Sequence, residues 1–236
     1  MPSVNGSLCL DAPNTLSFNA CITKAESDLI MLEPTYFYPR SGGQSGDWGE
    51  IILADGAVIE VIDTLYGEDG IQVLHKLAEP AQDNLEGMVV DVRVCQERRD
   101  WHTRMHTALH IVTSIIQAPV TGCRISGNEC KIDFDLPEPQ INKAELNRAL
   151  KQHIIADYTV KTRIMSAEQY RVDPFYNHLF NCPPDVDFRI VSIEGLDSQP
   201  CCGTHVATTK LIGDIECYKI KSHGKKNRRY SFRLNN

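Results

Sequence analysis

Four side chains, in two widely separated pairs, have the types and spacing of metal ligands. His106 and His110 lie four residues apart, and so do Cys201 and His205. Imidazole nitrogens and a thiolate sulfur are ligands that Zn²⁺ accepts in tetrahedral geometry. Because 91 positions separate Cys201 from His110, a small zinc finger is excluded. The two pairs therefore predict a site built by tertiary structure.

The residue between the two helical histidines limits the chemistry. The metalloprotease signature carries glutamate directly after its first histidine, whereas Thr107 follows His106 here. A peptidase would therefore lack its general base, but an activated ester needs only a positioned water and stabilisation of the developing oxyanion. Four protein ligands also describe a closed, structural zinc site, and the sequence leaves both roles open. His102 forms a second HxxxH pair with His106, and we expect it one turn away from the metal.

The first histidine pair is predicted to lie on a helix that begins near Gln96. Trp101, Met105, Ala108 and Val112 recur at three- and four-residue spacing up to Pro119, which is typical of an amphipathic helix. Residues four apart share one helix face, so both histidines point the same way. Further patterns predict a helix over 142–157 and strands over 132–134, 160–165, 188–193, 211–220 and 230–234.

Residues 1–95 read as short strands. Leu16, Phe18, Ala20 and Ile22 alternate with smaller or polar residues, which favours a half-buried strand. Asp55-Gly56 between two apolar runs predicts a hairpin. The predicted fold class is α+β: an N-terminal small β-barrel domain over 1–95, followed by an α/β two-layer domain over 96–236.

The segment from Pro39 to Gly49 holds four glycines in eleven residues. Glycine permits positive φ and lets a backbone approach a ligand closely. We expect Gly42-Gly43-Gln44 to present the Gln44 amide from a mobile loop. The alternative is an ordinary hairpin loop.

The charge distribution suggests one site for a polyanion. The chain of 236 residues has a net charge of −7, yet no acidic residue follows Glu216. A local basic patch can hold a phosphate backbone on an otherwise acidic protein, whereas a solvated hairpin would show the same charges. The candidate phosphate contacts are Lys225, Lys226, Arg228 and Arg229.

The composition indicates in which cellular compartment the protein is expected. The sequence has no long apolar run and no N-terminal secretory pattern, so no membrane partner is expected. Its nine cysteines are scattered, which favours a reducing cytoplasm with free or metal-bound thiols over a disulfide framework.

Taken together, the motifs resemble those of the alanyl-tRNA editing family. The resemblance rests on the glycine-rich segment Thr35–Gly49, on His106-Thr-Ala-Leu-His110, on Gln199-Pro-Cys-Cys-Gly-Thr-His-Val206, and on Ile212-Gly213 with Arg228-Arg229. The family includes alanyl-tRNA synthetases and free-standing editing proteins called AlaX. The chain is too short for a synthetase and is similar to the free-standing, medium-length form.

This resemblance implies a function and roles for individual residues. The reaction would be hydrolysis, in trans, of the ester in Ser-tRNA(Ala), with Gly-tRNA(Ala) as a second candidate substrate and a monomer favoured. His106, His110, Cys201 and His205 would bind zinc. Gln44 would line the pocket and position substrate or water, and Thr35 would contact the seryl hydroxyl. Correct Ala-tRNA(Ala) would be spared because it leaves the polar groups of such a site unpaired.

One departure and three rival functions stay open. Cys202 stands where the family usually has glycine, and it could compete for the metal. A zinc-stabilised tRNA-binding module without catalysis would use the same closed ligand set. Gly42-Gly43-Gln44 is also the tripeptide of peptide-release factors, but the histidine and cysteine pairs have no place in that function. A degenerate editing domain that only chaperones tRNA would lie between an editing enzyme and a binding module in function.

Overall fold

Six antiparallel strands of the N-terminal part close into a barrel, in the order β1-β2-β5-β4-β3-β6 with β6 returning to β1. Their bounds are β1 Ser17–Glu26, β2 Leu29–Glu33, β3 Gly49–Ile52, β4 Val58–Tyr66, β5 Val73–Leu77 and β6 Val89–Val94. Alternate residues of the strands, such as Ala20 and Ile22 in β1, are buried in the barrel core. The alternation that predicted β1 is thus confirmed, as is the hairpin at Asp55-Gly56 between β3 and β4.

The computed structural model describes residues 7–176 and 187–235, which fall into two units. Pro2–Ser41 and Ser45–Asp100 form the barrel unit. Gly42–Gln44 and Trp101–Asn236 form the C-terminal unit. Three residues of the glycine-rich segment therefore belong to the unit that also holds both predicted ligand pairs.

Two arginines hold the glycine-rich segment on the barrel side. Arg99 is buried and donates to the Tyr36 carbonyl at 2.7 Å and to the Asp47 carboxylate. Arg98 donates to the Gly46 carbonyl at 2.8 Å, and its guanidinium lies 4.0 Å from the centre of the Trp48 ring. The buried ion pair between Arg99 and Asp47 fixes the segment just after Gln44.

The C-terminal unit combines helices with two antiparallel sheets. The sheet orders are β11-β10-β9 and β12-β13-β8-β7. The elements are α1 Gln96–Ile115, which begins in the barrel unit, β7 Val120–Ser126, β8 Glu129–Asp135, α2 Lys143–Ile155, β9 Val160–Met165, α3 Ala167–Val172, β10 Phe188–Ile193, β11 Asp197–Pro200, a short 3-10 helix Thr209–Ile212, β12 Ile215–His223 and β13 Asn227–Leu234. The α+β fold class with an N-terminal barrel is confirmed.

The core of the C-terminal unit forms between α1, α2 and the four-stranded sheet. Met105 and Val112 on α1, Leu150 on α2, and Phe134 and Phe232 on the sheet are all buried. Each large apolar side chain buried in this way contributes about 1.5–3 kcal/mol. Because α1 is anchored through this apolar stripe, the position of its histidine face is fixed.

Most predicted elements of this unit were found, but the strand predicted over 211–220 begins at Ile215, after an unpredicted 3-10 helix over Thr209–Ile212. Asn142 caps α2 rather than belonging to it, because its side chain accepts the Glu145 backbone N–H at 3.0 Å. Strands β7 and β11 were not predicted. Within the described residues, no helix is long and apolar enough to cross a membrane.

Candidate metal centre

Helix α1 brings His106 and His110 to one face. Both side chains are almost fully buried, with 6% and 4% of their surface exposed. Their ring centres lie 5.9 Å apart, as expected for residues one helical turn apart. The sequence prediction of a shared face is therefore confirmed.

The second ligand pair lies in a turn that follows β11. The Cys201 backbone N–H donates to the Arg189 carbonyl at 2.9 Å, and the Arg189 guanidinium donates back to the Cys201 and Gly203 carbonyls. A Cβ atom at position 203 would overlap the His106 ring, so only glycine fits there. The Gly203 N–H points at the Cys201 sulfur from 3.4 Å. Arg189 and Gly203 thus shape the turn around the thiol.

The two pairs meet in one cluster. One ligand atom from each of His106, His110, Cys201 and His205 lies within 4.8 Å of all the others. The Cys201 sulfur lies 3.3 Å from Nε2 of His106 and 3.3 Å from Nε2 of His205. Metal–nitrogen bonds of about 2.0 Å and a metal–sulfur bond of about 2.3 Å would place tetrahedral neighbours roughly 3.5 Å apart. We call these residues the four-ligand cluster; it could hold a metal ion.

Electrostatics favour the metal-binding form of the cysteine. Burial opposes ionisation of Cys201, yet the neighbouring His106 and His205 outweigh it and lower the pKa of the thiol well below its usual value. Burial lowers the pKa of His205 to about 3. A thiolate and a neutral imidazole are the forms that bind metal, so these two groups need no large rearrangement of protons.

Cys202 lies beside the cluster but outside it. The possible ligands within the described residues include Cys201 and not Cys202. Burial, and then the negative charge of Cys201, raise the pKa of Cys202. Cys202 therefore stays a thiol, which favours Cys201 as the single sulfur ligand. His102 is also buried on α1 and is not part of the cluster.

Gln44 reaches the cluster from the glycine-rich segment. The Ile125 N–H on β7 donates to the Gly43 carbonyl at 2.7 Å, and a Cβ at position 43 would come within 2.6 Å of the Cys123 carbonyl oxygen. The Gln44 side chain is fully buried; its Oε1 accepts the His106 Nδ1–H at 2.8 Å. A mobile loop was expected to present this amide; in the structure the amide is hydrogen-bonded to His106, a possible metal ligand.

Three polar contacts of the cluster were missed from sequence. The Asp197 carboxylate lies 2.6 Å from Nδ1 of His110, the Thr107 hydroxyl oxygen lies 3.1 Å from Nδ1 of His205, and the Thr204 hydroxyl accepts from Nε2 of Gln44 at 3.0 Å. From the sequence, Thr107 showed only that the glutamate of the metalloprotease signature is absent. Asp197 precedes Cys201 by four residues, and nothing in that spacing predicts which imidazole it meets.

Thr35 belongs to the barrel unit, where its side chain is 2% exposed. The His75 Nδ1–H donates to the Ile30 carbonyl at 3.0 Å, which leaves Nε2 to accept the Thr35 hydroxyl proton at 2.9 Å. The Thr35 oxygen also accepts the Phe37 N–H at 3.3 Å. The hydroxyl proposed to contact a seryl group is thus engaged inside the barrel.

The basic segment near the C-terminus divides into paired and exposed cations. Arg229 binds Asp133 with two hydrogen bonds of 2.7 Å, and Arg228 bonds the Pro137 carbonyl and lies 3.7 Å from the Glu138 carboxylate. Lys225 and Lys226, in the turn between β12 and β13, are exposed. Of the four predicted phosphate contacts, the two lysines are therefore the more available.

The sequence is similar to proteins of two kinds. Residues 188–229 match the family described as the threonyl and alanyl tRNA synthetase second additional domain. The chain is 32% identical over 218 residues to the alanyl-tRNA editing protein AlaX-M of Saccharolobus solfataricus, across 90% of this chain and 91% of that protein. It is 29% identical over 231 residues to the AlaX-M of Methanosarcina mazei, across 92% and 91%. It is also 31% identical over 231 residues to the alanine–tRNA ligase of Methanococcoides burtonii, across 91% of this chain and 24% of the ligase.

Proposed function

Because this chain belongs to the AlaX-M family of alanyl-tRNA editing proteins, we propose that it hydrolyses the ester of Ser-tRNA(Ala) in trans and spares Ala-tRNA(Ala). The observation that carries the proposal is the four-ligand cluster. Two sequence pairs that match the family's motifs meet within 4.8 Å in the C-terminal unit. Gly-tRNA(Ala) is the second substrate to test.

We propose Zn²⁺ as the metal of the cluster. One thiolate and three imidazoles are a donor set that Zn²⁺ prefers, and the sulfur–nitrogen separations of 3.3 Å fit the roughly 3.5 Å edge of its tetrahedron. When bound, the ion would act as a Lewis acid toward an ester carbonyl or a water. The protein's own contribution is to present one thiol, that of Cys201, and three imidazoles together in a buried pocket.

The residues around the cluster support substrate discrimination by polar groups. Thr103 donates to the Thr204 hydroxyl at 2.8 Å, and Gln44 bonds the same hydroxyl. A substrate hydroxyl can exchange into this network of hydrogen bonds, whereas the methyl group of alanine cannot. In this arrangement Gln44 acts through His106, and Thr35 stays a candidate contact whose hydroxyl must first leave His75.

The partner would be tRNA(Ala), and we propose that the turn at Lys225 and Lys226 contacts its phosphates. Both side chains are exposed, and exposed lysines bind a phosphate backbone without a rigid geometry. Arg228 and Arg229 would support the turn through their bonds to Pro137 and Asp133. The cytoplasmic location and the monomeric state expected from the sequence stay predictions.

A deacylation assay tests the proposed function directly. Ser-, Gly- and Ala-tRNA(Ala) are each incubated with the protein, with metal-stripped protein, and alone. We expect rapid loss of serine, retention of alanine, and a strong decrease in the rate after metal removal. Equal loss of serine and alanine would refute the proposed discrimination.

A non-catalytic tRNA-binding module is the second candidate. It is favoured by the four protein donors, which fill a tetrahedral shell as structural zinc sites do. It predicts that tRNA(Ala) binds the folded, zinc-loaded protein while none of the three esters is cleaved. The same assay, paired with a binding measurement, therefore distinguishes the two functions.

A further inference from the structure

Each imidazole of the four-ligand cluster meets a different hydrogen-bond acceptor at its Nδ1. We propose that Asp197, Thr107 and Gln44 are the positioning residues of the metal centre, each fixing one histidine so that Nε2 faces the ion. A histidine that binds metal through Nε2 must carry its proton on Nδ1, and an acceptor there selects that tautomer and the ring orientation. This inference rests on the proposed metal site.

For Thr107, the hydrogen-bond directions are determined by its neighbours. Its hydroxyl proton goes to the Thr103 carbonyl at 2.9 Å. Its oxygen must then act as acceptor for the Val206 N–H at 3.1 Å and for Nδ1–H of His205 at 3.1 Å. The residue that stands where a metalloprotease has its general base thus has a different role, since it ties the His205 turn to α1.

Asp197 is the strongest of the three acceptors because it is charged. Its Oδ2 lies 2.6 Å from Nδ1 of His110 and accepts from Nε2 of Gln199 at 3.1 Å. Gln199 also reaches the Thr113 hydroxyl on α1 at 3.4 Å, which holds the amide that donates to the carboxylate. A divalent ion with one thiolate ligand leaves one positive charge, and this half-buried carboxylate balances it.

Gln44 completes the set with a neutral acceptor. Its Oε1 accepts from Nδ1 of His106 at 2.8 Å and from the Thr204 N–H at 3.2 Å, while its Nε2 donates to the Thr204 hydroxyl. These bonds fix the amide orientation, because the oxygen faces two N–H donors. The glycine-rich segment is thereby tied to a metal ligand.

Zinc affinity, measured without tRNA, tests the inference. Zinc-loaded protein is titrated with a chromophoric chelator, for wild type and for Asp197→Ala, Asp197→Asn, Thr107→Val and Thr107→Ser. Loss of such an acceptor typically weakens metal binding 10- to 100-fold. We expect at least a 10-fold loss for Asp197→Ala, an intermediate loss for the neutral Asp197→Asn, a comparable loss for Thr107→Val, and near-wild-type affinity for Thr107→Ser.

Ser198→Ala is the matched control. Ser198 is the next residue of β11; its hydroxyl bonds those of Tyr176 and Ser192, at 2.7 and 2.6 Å. The Ser198→Ala variant therefore loses two partly buried hydrogen bonds without touching a ligand, and we expect its zinc affinity to stay within about twofold of wild type. In Co²⁺-substituted protein, Asp197→Ala should also weaken the visible absorption bands of a four-coordinate ion, which a purely structural loss would not change.

The possible outcomes separate this inference from the function. If wild type retains zinc while Asp197→Ala and Thr107→Val release it no more readily, the positioning roles are wrong and the metal site stands. If folded wild type holds no zinc, the metal site fails and this inference fails with it. Because Asp197→Asn and Thr107→Ser preserve shape, misfolding of the larger changes does not remove the test.

Discussion

Acid should destabilise the barrel unit through a single buried histidine. His75 is fully buried; its ring donates to the Ile30 carbonyl, accepts from Thr35 and lies nearly perpendicular to the Phe37 ring. Burial lowers its pKa from 6.5 to about 4, with the bond to Ile30 opposing weakly. Between these two values the unfolded chain binds a proton that the folded chain refuses, so stability falls as the pH falls.

The magnitude follows from the pKa difference. Each pH unit in that window costs about 1.4 kcal/mol. Acidification from pH 7 to 5 should therefore remove about 2 kcal/mol of folding free energy through His75, and about 3 kcal/mol by pH 4. The contribution is fully present above pH 6.5 and lost as the pH drops toward 4.

Urea unfolding at several pH values measures this effect. Trp48 lies in the barrel unit, so its fluorescence in a Trp101→Phe background follows that unit. His75→Gln, which cannot be protonated, should lose about 2 kcal/mol less than wild type between pH 7 and pH 5. An identical pH dependence in the two proteins would refute the reasoning.

Thr35→Val separates burial from hydrogen bonding. It leaves Nε2 of His75 without its donor, which should cost about 1–3 kcal/mol at pH 7. Because burial causes the low pKa, the dependence on pH should persist. A Thr35→Val protein that also hydrolyses Ala-tRNA(Ala) would support the proposed seryl contact, whereas unchanged discrimination would argue against it.

Three further predictions concern the site and the tRNA contact. Gly203→Ala should abolish zinc binding because its Cβ overlaps the His106 ring, whereas Gly122→Ala, whose Cβ would make ordinary contacts with Asp133, should retain zinc; equal zinc contents would contradict the packing argument. Lys225→Ala with Lys226→Ala should reduce the slope of log affinity for tRNA against log salt by roughly 2, and an unchanged slope would remove both phosphate contacts. Chelation followed by dialysis should abolish deacylation and added Zn²⁺ should restore it, whereas full activity without metal would show that the ion is not required.

The shared face of His106 and His110 was predictable because local geometry determines it. Residues four apart on a helix share a face wherever the helix lies, so His106 and His110 could be paired from spacing alone. The hairpin at Gly56 was predictable for the same reason, since its turn chemistry is local. Their partners at Nδ1 were not, because Gln44 and Asp197 arrive from distant segments.

Other features escaped prediction for identifiable reasons. In β7 only Ile125 is buried, so its sequence lacks the alternation by which strands are recognised, and main-chain bonds to β8 define it instead. The sequence predicted Arg229 to be a free cation, yet the strand register places it directly opposite Asp133 on β8. Charge along a sequence shows where cations are, while only the neighbouring strand shows which are neutralised.

Three residues, Gly42–Gln44, belong to the C-terminal unit although the chain on both sides of them belongs to the barrel unit. This arrangement limits how such a protein can be divided. A gene fragment starting at residue 96 would encode the whole four-ligand cluster and both sheets of the C-terminal unit, and would look self-sufficient. It would nonetheless lack the amide that orients His106. Transfer of the C-terminal part to another protein would therefore require a replacement for Gln44, because the contacts of the four-ligand cluster do not stop at residue 96.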